Sequence, residues 1–127
     1  MTCVKALCTY TVNVCKNEKH FPKRNRWILT QPIVTEALAA MSCIRHANAV
    51  RVVEREDYIY RYSEQQKAYA HLEALLSLIE IAYGVLGVEV KAIEYWTGLV
   101  LQTEEKLQAW KKSDRERYKT IRVGSAS

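Results

Sequence analysis

The chain has 127 residues, of which 49% are apolar and 26% charged. That balance suits a single domain with its own core and excludes disorder of the whole chain. The formal net charge of +5 favours a polyanionic partner without requiring one, and it is gathered at the two ends of the sequence: residues 1–26 carry +5 and 90–127 carry +3, against −3 for 57–89.

Taken in order, residues 2–18 place Val4, Leu7, Cys8, Thr11, Val14 and Cys15 on one face of an amphipathic helix. The segment is rich in β-branched residues, which lose rotamer freedom in a helix, so it needs tertiary packing to persist. Pro22 has no N–H to donate and biases Phe21 away from the α region, which ends that helix near Lys19. His20 to Trp27 is therefore expected to form a corner, and Asn25 is suited to cap the next helix with Trp27 as its first apolar anchor.

The second helix is expected from about Arg26 to Val53, with Ile33, Ala37, Ala40, Met41, Ile44 and Ala47 facing inward. Pro32 falls near its second turn, where it marks a late start or a kink. Arg51–Asp57 reads as the next corner. Tyr58-Ile59-Tyr60-Arg61-Tyr62 alternates like a strand but has nothing to pair with, so it is a corner or the first turn of helix three.

That third helix, about Tyr60 to Leu86, carries two apolar stripes. One is Ala68, Leu72, Leu75, Leu76, Ile79 and Tyr83; the other is Ala74, Leu78, Ile81 and Val85. A helix apolar over so much of its girth is covered on more than one side, which implies self-association. Gly84 and Gly87 end it. The fourth helix runs from about Glu89 to Lys112, with Val90, Ile93, Trp96, Val100, Leu107 and Trp110 inward. Two regions result: a four-helix bundle over 1–112, packed antiparallel in up-down-up-down order, and a basic, flexible tail over 113–127.

Cys3, Cys8, Cys15 and Cys43 show no C-x-x-C pairing, and Cys8 and Cys15 lie about two helical turns apart, too far to bridge. They read as small buried apolar residues in a reducing cytoplasm; zinc bound by Cys3 or Cys15 with His20 would match no standard spacing. No continuous apolar stretch at the N-terminus suggests a signal peptide, and Glu73, Glu80 and Glu89 interrupt the most apolar window, so no membrane association is expected.

Catalytic and cofactor-binding motifs are missing: no phosphate-binding glycine loop, no G-x-S-x-G, no H-E-x-x-H and no Glu-x-x-His pair. His20, His46 and His71 stand without ligand-spaced partners, and the clusters Glu54, Glu56, Asp57 and Glu104, Glu105 read as solvated faces. No enzyme activity, cofactor or metal is expected. Trp27, Trp96 and Trp110 fall at core-periodic positions, whereas Tyr58, Tyr60 and Tyr62 are candidates for an interface or a bundle cap.

The remaining signal is positive charge. Lys16, Lys19, Lys23, Arg24 and Arg26 fall within eleven residues, opposed only by Glu18. Lys111, Lys112, Arg115, Arg117, Lys119 and Arg122 follow in the tail, diluted by Asp114 and Glu116. These eleven cations are the candidate nucleic-acid contacts, and repetition around an oligomer would multiply them.

The run Phe21-Pro22-Lys23-Arg24 with Arg26, preceded by a short helix and followed by three long ones, resembles a known family. It comprises the four-helix-bundle proteins of bacterial 23S rRNA intervening sequences and the accessory variability determinant of diversity-generating retroelements. Leu107-Gln108-Ala109-Trp110 is similar to that family's closing Trp, and the resemblance spans about Val4 to Lys112. Pro32 and the long basic tail depart from the pattern.

The resemblance implies a non-enzymatic homopentamer, shaped as a tapered barrel with a central channel, in the cytoplasm of a bacterium or encoded by a phage. In the retroelement branch it implies binding to a reverse transcriptase and its structured template RNA, with DNA as a further nucleic-acid candidate, in support of mutagenic cDNA synthesis. Only Lys23 and Arg24, with Arg26 nearby, carry over from the motif. The alternatives are an intervening-sequence-type scaffold protein and a helical protein–protein adaptor.

Overall fold

The computed structural model describes residues 1–123, and among them the secondary structure is helical, with no strand. Four long helices carry the fold: α1 (Thr2–Cys15), α2 (Gln31–Ala49), α3 (Arg55–Leu86) and α4 (Val90–Arg117), followed by a short α5 (Lys119–Arg122). The expected all-α class is what forms.

The inner stripes meet in one core. Val4, Leu7, Cys8 and Cys15 of α1 pack with Ile33, Ala37, Ala40 and Ile44 of α2, with Ala68, Leu72, Leu75 and Ile79 of α3, and with Trp96, Val100 and Leu107 of α4. Trp96 is fully buried, and its indole N–H donates to Thr11 Oγ1 at 2.9 Å while the Thr11 hydroxyl donates to the Leu7 carbonyl at 2.8 Å. A buried indole N–H with no acceptor would cost about 1–3 kcal/mol, so Thr11 is what allows a tryptophan here. The edges of Phe21 and Tyr10 meet the same ring, each with centroids 6.1 Å away. Val90 departs from its expected inward position and is half-exposed at the start of α4.

The corner before α2 is more elaborate than a capped helix start. Phe21 is buried, Pro22 is extended, and Lys23–Asn25 form a 3₁₀ turn. Arg26–Thr30 then form a π-helical turn, in which the Gln31 N–H donates to the Arg26 carbonyl five residues back. Pro32 supplies the reason. In a regular helix its ring would strike the Ile28 carbonyl and leave it without a donor; widening the preceding turn relieves both problems. The inserted residue also rotates the face of the helix by about 100°. Trp27, expected as a core anchor, is consequently 74% exposed, as is Ile28, and Leu29 takes the buried place.

The second corner is shorter than expected, since α3 begins at Arg55. Asp57 accepts the Val53 and Glu54 N–H groups at 3.0 and 2.9 Å, satisfying two donors at the helix entrance. These bonds hold its carboxyl below the usual carboxylate range. Tyr58 to Tyr62 therefore lie within helix. At the far end α3 closes on Gly87, whose φ of 67° is the left-handed conformation that glycine adopts without a Cβ clash.

The tail expected to be flexible from Ser113 is helical to Arg117 and again over α5. Asp114 is the cause. It is 1% exposed and accepts from Arg61 Nε at 2.7 Å, Arg61 Nη2 at 2.9 Å and Gln65 Nε2 at 2.8 Å. Residues 124–127 of the expected tail lie outside the described residues.

The outer stripe of α3 is uncovered only at its C-terminal end: Ile81 is 51% and Val85 68% exposed, whereas Ala74 and Leu78 are half-buried. Lys23–Ala49 and Arg55–Leu86 are long and apolar enough to cross a membrane by length and composition alone. Both also supply inner residues to the core.

Candidate nucleic-acid interface

The fold sorts the eleven candidate cations into two groups. At the end where α1 stops and α4 starts, Lys16, Lys19, Lys23, Arg24 and Arg26 are all exposed. Phe21 pins this corner from below by packing against Trp96, and the 3₁₀ and π turns present Lys23, Arg24 and Arg26 on one short stretch. Lys23 Nζ lies 3.7 Å from Glu18, both side chains well solvated, a pair worth little in water. Among the described residues Lys16, Lys19, Arg24 and Arg26 have no carboxylate partner. The exposed Trp27 ring follows directly. Periodicity alone could not have shown it, because the π turn that swings it outward comes from Pro32, five residues on.

The second group lies where α3 begins and α4 ends. Lys112, Arg115, Arg117 and Lys119 are exposed and Arg122 is half-buried. Lys111 belongs less to this surface than expected: its amine sits over the Tyr62 ring at 5.3 Å and donates to Gln66. Partial burial lowers its pKa. Arg117 lies over the Tyr118 ring, 5.9 Å from the centroid. Arg61, flanked by the tyrosines, is buried structure: its guanidinium stacks on Trp110 at 5.0 Å and grips Asp114. Tyr58 is likewise buried, while Tyr60 and Tyr62 are 50% and 40% exposed.

Two of the histidines are packed between helices, and one acidic residue departs from its expected solvated role. His46 Nδ1 lies 2.9 Å from Glu64 and His71 Nδ1 2.6 Å from Glu36, so both rings bridge α2 and α3. Burial raises the Glu64 carboxyl, but hydrogen bonds from His46 and Lys67 outweigh it and leave its pKa lowered. Glu104 is 7% exposed rather than solvated. Burial, then a hydrogen bond and charge repulsion from Glu73, push its carboxyl up to about 8.

Burial likewise pushes the Cys8 and Cys15 thiols up to about 11 and about 12, as suits inert core cysteines, and the Cys8 thiol donates to the Ala37 carbonyl at 3.1 Å. Among the described residues no three His, Cys, Asp or Glu side chains gather as a metal site would require. What the arrangement offers chemically is exposed positive charge beside an exposed aromatic ring. Comparison with protein-family models, with curated proteins and with solved structures returned no match for this chain.

Proposed function

We propose that the protein is a non-enzymatic, RNA-binding accessory subunit of a retroelement reverse transcriptase. The observation that carries this reading is the corner at 23–27, where Lys23, Arg24 and Arg26 stand exposed beside a Trp27 ring that is 74% exposed. Cations neutralise phosphates and release counterions, and an aromatic ring offers a stacking surface to unpaired bases. The polymerase as partner rests on the resemblance of Phe21-Pro22-Lys23-Arg24 and Leu107–Trp110 to the accessory variability determinant.

In this reading the four long helices form an antiparallel up-down-up-down bundle that assembles into a homopentamer. The exposed Ile81 and Val85 on the outer stripe of α3 support self-association. Each subunit then repeats two basic surfaces around the ring, and weak single-site contacts add up.

The test is the triple variant Lys23→Ala/Arg24→Ala/Arg26→Ala, with Trp27→Ala alongside. Both are expected to weaken binding of a structured RNA while leaving helicity and oligomer size unchanged. The triple variant should also lower the salt dependence, by about 0.7–0.9 in log–log slope for each phosphate that is no longer neutralised. Unchanged RNA affinity in both would make the corner a solvated turn and leave the scaffold reading, in which the partner is another protein.

A further inference from the structure

At the opposite end from the corner, an open cleft of about 320 Å³ is lined by Arg55, Tyr58, Ile59, Tyr62, Arg115 and Arg122. Its construction follows from the sequence once α3 is known to begin at Arg55. Residues 55, 58, 59 and 62 then stand at i, i+3, i+4 and i+7 and share one helix face. The Arg61–Asp114 pair holds the last turns of α4 against the start of α3, and Arg115 lines the cleft beside it. The Tyr118 ring then packs on Tyr58 at 6.1 Å, and α5 turns back so that Arg122 completes the wall. Arg122 Nε donates to the Arg115 carbonyl at 3.2 Å, which fixes where that guanidinium lies.

Three arginines therefore line one cleft, and among the described residues none of them has a carboxylate partner. The nearby acids are occupied or turned to other tasks: Asp114 by Arg61 and Gln65, Asp57 by the backbone N–H groups of Val53 and Glu54. Glu56 and Glu116 are exposed and do not line the cleft. Like charges along one cleft wall repel one another, and an anion bound there would relieve that repulsion. Planar guanidinium groups match a phosphate through paired N–H donors. Part of the lining is apolar: Ile59 is 52% exposed and Tyr62 40%, with the Tyr62 ring also stacked on Tyr58 and carrying the Lys111 amine. A bare inorganic ion would leave that part uncovered, and a ligand joining phosphate to a flat, largely apolar ring would use both.

We propose that this cleft holds one nucleotide of a single-stranded nucleic acid, its phosphate on Arg55, Arg115 and Arg122 and its base against Ile59 and Tyr62. The inference rests on the nucleic-acid-binding reading and adds to it a preference for unpaired strands at this end of the molecule. A base inside a duplex is stacked on its neighbours and cannot lie on the cleft lining. A free nucleotide presents the same chemistry and is separated from the strand by the experiment.

The test uses the full-length protein and fluorescence anisotropy with a labelled single-stranded RNA and its duplex, across several salt concentrations. Two variants on exposed or half-buried positions are compared: Arg115→Gln/Arg122→Gln and Ile59→Ser. Circular dichroism melts establish that each is folded. The arginine variant is expected to lower the log–log salt slope for the single strand by about 0.7–1.4, according to whether the two arginines share one phosphate or hold two. Ile59→Ser is expected to weaken the single strand and leave the duplex unchanged.

If both variants bind the single strand like the unmodified protein while the Lys23/Arg24/Arg26 variant no longer binds RNA, the cleft proposal is overturned and the nucleic-acid reading stands. If the unmodified protein binds no RNA at low salt, that reading fails by itself. ATP titrated into the unmodified protein and the arginine variant then decides the cleft. Saturable binding that disappears in the variant assigns the cleft to free nucleotides, and no binding at all overturns it.

Discussion

Arg61 and Asp114 meet as a paired fork, Nε 2.7 Å from one carboxylate oxygen and Nη2 2.9 Å from the other, with both side chains almost wholly buried. Two charges out of water are tolerable only with their remaining bonding positions filled, and here Gln65, the Val50 carbonyl and the Trp110 ring fill them. Asp114→Ala would strand the Arg61 charge. The expected cost is about 3–5 kcal/mol, read as a shift in the urea midpoint. A loss under about 0.5 kcal/mol would mean the end of α4 is not docked.

Thr11→Val keeps the shape of the side chain and removes the acceptor for the Trp96 indole. Destabilisation of about 1–3 kcal/mol is expected, measured by denaturant unfolding followed through tryptophan fluorescence. A neutral result would show that the indole N–H finds another acceptor.

Glu104 makes stability depend on pH in the direction opposite to most carboxylates. Its pKa rises from 4.5 unfolded to about 8 folded, so between those values the folded state holds a proton that the unfolded chain has released. Stability is therefore unaffected by this group below pH 4.5 and declines as the pH rises toward 8. Glu104→Gln should remove that decline, so the variant should melt above the unmodified protein by about 3 °C or more at about pH 8.5 and converge with it near the unfolded pKa. Parallel melting curves across the range would contradict the placement of Glu104.

Ile81→Glu with Val85→Glu puts charge on the exposed end of the outer stripe of α3 without touching the core. Light scattering is expected to show a smaller species with unchanged helicity. A monomeric mass for the unmodified protein would remove self-association from the proposal.

The helices were legible because their inner stripes repeat at helical spacing: Ile33, Ala37, Ala40, Ile44 and Ala47 are all buried, as their period requires. What escaped was set by contacts distant in sequence or by backbone irregularity. Asp114 sits among lysines and arginines, and nothing local distinguishes it from a solvated acid; its meaning comes from Arg61, fifty-three residues away. Arg61 lies in an alternating Tyr-Ile-Tyr-Arg-Tyr run whose strand-like pattern hides a helix stabilised by Asp57 at its start. Trp27 faces outward because Pro32 imposes a π turn, a change of phase that helical periodicity cannot register. The basic corner was legible from Pro22 and the run of charge around it, whereas the cleft needed the fold to bring Arg55 to Arg115 and Arg122.

The most direct measurement is binding of a structured RNA by the purified protein at several salt concentrations. An RNA-binding oligomer with two basic surfaces per subunit is expected to bind far more weakly as salt rises, with a log–log slope of several units, roughly 0.7–0.9 for each phosphate neutralised. Binding that is absent, or only millimolar at low salt, would contradict the nucleic-acid role.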